Sequence, residues 1–222
     1  MRLAIETSTP LGAIAVGDGE TLVAESILSV RATHSETVLD EAARLLDRAG
    51  LRPRDLEAVV VGSGPGSFTG VRIAASLAKG LCFAHDLPLF AYSSLWALAA
   101  SVSVARICAV FDARRGEVYA ATFPDGAAVP PDRGPLVTTI DELLGSLDPA
   151  ASWVFAGEGA RVHASRIERA GGRIVPVHAA VPRASALLWL SRVAGELGRV
   201  RERGLWEPEY VRASGAERGI GG

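Results

Sequence analysis

A glycine-rich segment at residues 59–81 carries the residues whose spacing is best suited to chemistry. Three valines run into a loop, GSGPGSFTG, that contains Gly64 and Gly66, and helical spacing begins at Val71. Unpaired backbone N–H groups at such a helix start can bind a phosphate, a carboxylate or a partner's side chain. The loop lacks the lysine of a Walker A motif, and its glycine spacing is one residue too long for the dinucleotide fingerprint. A phosphate cradle and a simple tight turn therefore both stay open.

Two carboxylates at predicted strand ends form a second candidate site. Glu6 is followed by the hydroxyl residues Thr7, Ser8 and Thr9, and Asp112 is followed by two arginines. A carboxylate beside hydroxyls can orient Mg²⁺-bound water around a nucleotide. The alternative is a turn whose short polar side chains cap its own backbone, and TSTP has no glycine to wrap a phosphate. The residues of this candidate, vestigial nucleotide site are Glu6, Thr7, Ser8, Thr9, Gly64, Gly66 and Asp112.

The remaining reactive side chains predict no catalytic set. The four histidines follow no HxxxH or HExxH spacing, so no metal site is expected. Cys82 and Cys108 lie among apolar neighbours, which predicts buried reduced thiols and a cytoplasmic location. No signal peptide or membrane span is expected. The formal net charge of −2 argues against a broad basic surface, so RNA, if bound, is expected to come with a partner.

Hydrophobic periodicity places these residues on an α/β framework. The first half predicts three antiparallel strands, a helix, a strand, the glycine loop with a second helix, a further strand and a third helix. The second half repeats this order from residue 107 onward, which indicates an internal duplication. Predicted strands cover residues 2–6, 11–16, 21–30, 58–61, 87–91, 107–112, 113–123 (with its turn), 153–159 and 173–177. Predicted helices cover residues 35–49, 68–84, 94–105, 160–170 and 183–203, and residues 124–135 are expected to form a surface loop.

Two tandem βββαβαβ units are the plan of the actin, heat-shock protein and acetate kinase (ASKHA) superfamily, with mixed sheets flanked by helices. We expect a first subdomain at residues 1–104 and a second at 105–212, with the C-terminal segment able to pack back on the first. Residues 213–222 are expected to be a disordered tail.

Two predicted helices carry surfaces suited to pairing with another chain. Gly70, Ala74, Ala78 and Cys82 recur at four-residue intervals, and such a row of small side chains lets a second helix approach closely. The preceding helix has a broad apolar face. That face comprises Val38, Leu39, Ala42 and Leu46. Ordinary packing of both helices on their own sheet is the alternative.

Several segments together resemble the bacterial TsaB (YeaZ) family over nearly the whole chain. They are LAIETSTP, the R-x-x-H-S-E segment at residues 31–36, GSGPGSFTGVR, FDARRGEVY and EPEYVR. The resemblance implies a non-catalytic subunit of the machinery that forms threonylcarbamoyladenosine at position 37 of ANN-decoding tRNAs. It also implies a heterodimer with the paralogue TsaD, recruitment of the TsaE ATPase, contact with tRNA through the complex, and a homodimer in isolation. The helices that begin near His34 and Phe68 are the implied pairing surface, which adds His34, Ser35 and Phe68 to the interface residues.

The predicted function is therefore an accessory scaffold that activates TsaD. Two alternatives stay open: a Mg²⁺-dependent ATPase of the ASKHA type that uses Glu6 and Asp112, and a glycoprotease-like peptidase, for which no nucleophile or metal pair is visible. No cofactor is firmly expected, although ATP or ADP, or Mg²⁺, at the partner interface stays open.

Overall fold

Two mixed β-sheets form the framework of the computed structural model, which describes residues 1–29, 35–102, 104–209 and 211. Strands of the first half are β1 (Arg2–Glu6), β2 (Leu11–Gly17), β3 (Leu22–Ser29), β4 (Ala58–Gly62) and β5 (Leu89–Tyr92). Strands of the second half are β6 (Ile107–Arg114), β7 (Glu117–Phe123), β8 (Arg133–Thr139), β9 (Val154–Ala156) and β10 (Arg173–Ile174). A short strand near the C-terminus, β11 (Arg199–Val200), pairs antiparallel with β5.

The strand order demonstrates the duplication. The first sheet runs β11-β5-β4-β1-β2-β3 and the second runs β10-β9-β6-β7-β8. In each sheet the first strand of the unit pairs antiparallel with the second and parallel with the fourth. The predicted ASKHA plan of two βββαβαβ units with mixed sheets is therefore confirmed.

Helices cover both faces of both sheets. The helices are α1 (Ser35–Arg48), α2 (Phe68–His85), α3 (Ser94–Val102), α4 (Ile140–Ser146), α5 (Glu158–Val162), α6 (Ala164–Arg169), α7 (Ala184–Val193) and α8 (Gly195–Gly198). The outer face of the first sheet packs on α1 and α2, and the outer face of the second sheet packs on α4, α5 and α6. Between the sheets, α3 and α7 share one hydrophobic core with both inner faces.

Alternation along β1 explains why two helical layers fit on one sheet. Leu3 and Ile5 point into the outer core, whereas Ala4 points into the inner core that α7 fills. Because successive strand residues face opposite sides, large side chains serve one layer while alanines leave room for a helix on the other.

A charged contact also ties α7 to the first sheet. Glu25 on β3 has a side chain only 5% exposed; it forms an ion pair with Arg183 and accepts hydrogen bonds from Ser185 N and Oγ, both at 3.0 Å. Burial alone raises the pKa of Glu25, but the hydrogen bonds from Arg183 and Ser185 outweigh it and hold the pKa below its usual value. A second, exposed pair joins Arg192 to Glu20.

Three predictions about the elements of the second half are wrong. The long helix predicted at residues 183–203 ends at Val193, because glycines at 195 and 198 interrupt it and the chain then forms α8 and β11. The helix predicted at 160–170 is divided into α5 and α6 at His163. The loop predicted at 124–135 ends at residue 132, because β8 begins at Arg133. The helix α4 has no counterpart among the predicted elements.

The two-subdomain division stays a prediction. In the structure, α7 and β11 pack on the first sheet, although both lie within the predicted range 105–212. The predicted tail at residues 213–222 lies outside the described residues.

Candidate functional site

Glu6, at the end of β1, is a fully buried carboxyl group that holds three segments together. Its Oε1 accepts a hydrogen bond from Ser8 N at 2.7 Å, and its Oε2 accepts one from Ser94 Oγ at 2.8 Å. Ser94 Oγ in turn accepts from Gly64 N at 3.2 Å. The pKa of Glu6 is raised because burial disfavours the charged form more than these hydrogen bonds favour it. Residue 62 must be glycine here, because a Cβ atom would lie 1.9 Å from Glu6 Oε2.

Several backbone N–H groups of the glycine loop (residues 62–70) donate hydrogen bonds to acceptors within the protein. Ser63 N donates to Tyr92 O at 2.8 Å, Gly64 N to Ser94 Oγ, and Ser67 N to Ser8 O at 2.7 Å. Ser67 caps α2 by accepting from Gly70 N at 3.3 Å. A phosphate cradle needs such donors to be free, and these four have protein acceptors.

The TSTP turn (residues 7–10) lies directly against the glycine loop. A Cβ atom on Gly66 would lie 2.3 Å from Ser8 O, and one on Gly70 would lie 2.0 Å from Thr7 O. Thr7 Oγ1 also donates to Gly70 O at 2.6 Å. The two loops are therefore in backbone contact, with no space for a ligand between them.

The C-terminal segment (residues 199–209) covers the outside of the same loop. Glu209 N donates to Ser63 O at 2.8 Å, and Glu209 O lies 3.2 Å from the position that a Cβ atom would take on Gly64. Lys79 Nζ on α2 donates to the carbonyl oxygens of Gly204 and Trp206 at 3.2 and 3.0 Å. The C-terminal segment is expected from the sequence to be able to pack on the first subdomain, but its contact with the glycine loop has no local sequence signal.

Asp112 lies apart from this contact, as an exposed residue on β6. Its Oδ1 accepts from Arg114 N at 2.8 Å, so the carboxylate caps its own turn. Arg114 and Arg115 in that turn have positive φ values of 62° and 56°. This is the local turn role that the sequence left open as an alternative to nucleotide binding.

The candidate nucleotide residues do not fit a phosphate between the two loops. Their donors are used internally, and Thr9 Oγ1 donates to Leu11 O at 2.6 Å. Ser8 Oγ is buried without a hydrogen-bond partner in the described part of the chain, and a single hydroxyl is too little to hold a phosphate. Glu6, which the sequence offered as a Mg²⁺-orienting group, is instead a buried structural acceptor.

Comparison with known proteins gives the family. A family model described as TsaD, tRNA N6-adenosine threonylcarbamoyltransferase, matches residues 22–220. The tRNA threonylcarbamoyladenosine biosynthesis protein TsaB of Bacillus subtilis (strain 168) is 35% identical over 97% of this chain and 95% of its own length. The chain belongs to the TsaB family. By contrast, a transferase from Granulibacter bethesdensis, 35% identical, is matched over only 36% of its length, so the full-length resemblance is to TsaB.

Solved structures agree with this family assignment. YeaZ from Pseudomonas aeruginosa superposes with a TM-score of 0.78 at 29% identity, covering 94% of this chain and 98% of that one. The ethanolamine utilization protein EutJ from Carboxydothermus hydrogenoformans has a TM-score of 0.52 at 11% identity, covering 84% of this chain and 88% of that one, and shows the fold alone.

The helix surface that the TsaB resemblance implies for pairing needs correction in its residues. Most of the predicted interface residues are buried within the subunit. These are Val38, Ala42, Leu46, Gly70, Ala74, Ala78 and Cys82. They pack on the first sheet, because the small-residue row of α2 faces β1 and β4 rather than solvent. His34 lies outside the described residues, and Ser35 is described only as the first residue of α1.

The exposed part of the α1–α2 layer is formed by other side chains. Leu39 on α1 is 49% exposed, and Phe68 and Phe83 on α2 are 40% and 60% exposed. Arg72 lies over the Phe68 ring at 4.0 Å. Gly80 is exposed, and a Cβ atom built on it meets nothing within 4 Å. Apolar and small residues on this outer face, rather than the buried row, are therefore available to a partner.

The two cysteines are the remaining candidates for a reactive side chain. Burial raises the pKa of Cys82 to about 11 and raises that of Cys108 as well, so both thiols stay protonated at neutral pH. Within the described ranges, no group of three or more His, Cys, Asp and Glu side chains could hold a metal ion. Over the same residues, every helix is too short or too polar to cross a bilayer.

Proposed function

We propose that this TsaB-family chain is a non-catalytic subunit in threonylcarbamoyladenosine formation, which binds and activates a TsaD partner and helps to recruit the TsaE ATPase. The observation that carries the non-catalytic part is the contact between the TSTP turn and the glycine loop. The close approach of Thr7 and Ser8 to the glycine loop leaves no room for a phosphate between the two loops, and Glu6 accepts hydrogen bonds within the fold. Neither the hypothesis of an ASKHA-type ATPase nor that of a peptidase has comparable support.

The proposed contact with TsaD uses the outer face of α1 and α2. Leu39, Phe68 and Phe83 supply exposed apolar area there, and apolar patches of this kind are typical of protein interfaces. Gly80 lets a partner helix approach closely, because no side chain stands between the α2 backbone and solvent. In the absence of TsaD, we propose that two copies of the chain pair through the same face. Because tRNA is the substrate, the proposed location is the cytoplasm.

A reconstitution experiment tests the function. TsaD, TsaE, unmodified tRNA and enzymatically supplied threonylcarbamoyl-adenylate are combined with and without this chain, and modified adenosine is measured. We expect product only when the chain is present. We also expect the isolated chain to release no phosphate from ATP in the presence of Mg²⁺. Equal product formation without the chain would contradict the proposal, and Mg²⁺-dependent hydrolysis lost in Glu6→Gln would favour the ATPase.

A bulky substitution on α2 tests the surface. Gly80→Trp is expected to leave the subunit folded, since the position is open, and to abolish co-elution with TsaD and self-pairing. Gly145→Trp is the matched control, because Gly145 is an exposed helical glycine on α4 with equally open surroundings. Ala78→Trp is unsuitable because Ala78 is fully buried and the variant would disrupt the subunit itself. Unchanged co-elution of Gly80→Trp would exclude this face.

A further inference from the structure

A basic cleft lies at the edge of the first sheet and shares no lining residue with the TSTP turn or the glycine loop. It has a volume of ≈ 340 Å³ and opens where β11 runs along β5. Three arginines line it together with one acidic and two apolar residues. They are Arg199, Arg201, Arg203, Asp86, Pro88 and Val200. Three arginines and one aspartate line the cleft, so it is locally positive although the whole chain has a formal charge of −2.

Arg203 is fixed at the wall of the cleft by its neighbours. Its Nη1 donates to Leu87 O at 2.7 Å and to Cys82 O at 3.3 Å, and its Nη2 lies 2.8 Å from Asp86 Oδ1. Asp86 is 92% exposed, so it neutralises this arginine only partly in water. The guanidinium is thereby held in place before any ligand arrives, and less side-chain entropy is lost on binding.

Arg199 and Arg201 keep their charges available to a ligand. The nearest carboxylate to Arg199 is Glu196 at 3.9 Å, with side chains 52% and 84% exposed, a pair that contributes little. Arg201 is exposed and forms no ion pair with any other described residue. Glu202, which lies between Arg201 and Arg203 in sequence, does not line the cleft.

The presence of three arginines in one cleft fits an anion that carries several charges better than one with a single charge. Arg199 lies on β11, whereas Arg201 and Arg203 lie in the bend and turn that follow it, so the turning backbone distributes the three arginines around the cleft. Planar guanidinium groups bind phosphate oxygens through paired hydrogen bonds. A phosphodiester backbone presents such anions in a regular row, whereas an acidic peptide must supply carboxylates in matching register.

We propose that this cleft binds the phosphodiester backbone of RNA, with the tRNA substrate as its ligand. This inference rests on the proposed function, and it adds a direct RNA contact to a chain whose overall charge predicts none. Backbone contacts of this kind position the nucleic acid without reading its sequence. The cleft would therefore orient tRNA on the assembled complex, and the partner would select the base.

Fluorescence anisotropy with labelled tRNA tests the cleft, using the full chain in complex with TsaD at several salt concentrations. Arg201→Glu is expected to weaken tRNA binding on the order of tenfold at low salt, and to reduce the slope of log affinity against log salt by about 1. The expected effect is the same for tRNAs of different sequence. Arg161→Glu is the matched control, since Arg161 is exposed on α5 and does not line the basic cleft.

Co-elution with TsaD is measured for both variants in parallel. Weaker tRNA binding by Arg201→Glu with normal co-elution supports the RNA contact. Unchanged tRNA affinity of Arg201→Glu overturns the proposal. Loss of co-elution with TsaD while tRNA affinity is retained also overturns it, because the cleft would then be a protein contact. None of these results decides the proposed function, which is contradicted only if modified adenosine forms equally well without the chain.

Discussion

Replacement of Gly70 by alanine probes the contact that closes the glycine loop. A Cβ atom at this position would lie 2.0 Å from Thr7 O, about 1 Å closer than real Cβ contacts allow, and both sides of the clash are backbone. One of the two loops must move, which breaks the buried Thr7 Oγ1 to Gly70 O hydrogen bond. Overpacking costs about 1–3 kcal/mol and the broken buried hydrogen bond about 1–3 kcal/mol, offset by about 1 kcal/mol of helix propensity. We expect Gly70→Ala to lower the free energy of unfolding by about 3 kcal/mol.

Urea unfolding of the full chain, followed by circular dichroism, measures this change. Gly80→Ala on the same helix is the control, because its new Cβ meets nothing within 4 Å. We expect that variant to gain about 1 kcal/mol, or about 2–4 °C in Tm, from helix propensity alone. If Gly70→Ala is as stable as the wild type, the TSTP turn does not lie against α2 and the space between the two loops is not closed.

Two further substitutions test the buried carboxylates. Because burial raises the pKa of Glu6 above its usual value of 4.5, the contribution of Glu6 to stability should be greatest below that value and should fall as pH rises through the raised pKa. Glu6→Gln should lose this decline, so the difference from wild type in urea titrations should change with pH, and parallel curves would contradict the assignment. Glu25→Gln should lower the free energy of unfolding by about 2 kcal/mol at neutral pH, and this difference from wild type should vanish as pH falls through the lowered pKa of Glu25. Glu20→Gln, in the exposed pair with Arg192, is the control and should lower the free energy of unfolding by under about 1 kcal/mol at any pH.

The order of elements was predictable because the signals that set it are local. Alternating or continuous apolar runs gave β1, β4 and β6, and the Asp18-Gly19 turn was recognisable from its residues, with Gly19 at φ 97° and Asp18 Oδ1 accepting from Thr21 N. The second half gave weaker signals. An amphipathic pattern continues past Val193, although glycines at 195 and 198 disfavour a continuous helix. A Cβ atom at Gly198 would also clash with the Tyr92 ring, a contact that is distant in sequence and has no local signal.

The residues of the candidate site were less predictable than the fold. The small-residue row from Gly70 to Cys82 indicates close packing, but a sequence does not state whether the neighbour is the chain's own sheet or a partner. In the same way, Glu6 before three hydroxyl residues suits both a ligand site and a turn. The deciding partner, Ser94, is 88 residues away and carries no motif.

The C-terminal segment has a consequence for the order in which the protein can be made and assembled. The first sheet lacks its edge strand β11, and its inner face lacks α7, until the last part of the chain has been synthesised. Residues 1–62 alone therefore leave an apolar sheet face exposed, which α7 covers only when it folds back onto the sheet. The first half of the fold reaches its complete core and its sixth strand only after residues 184–200 have been synthesised.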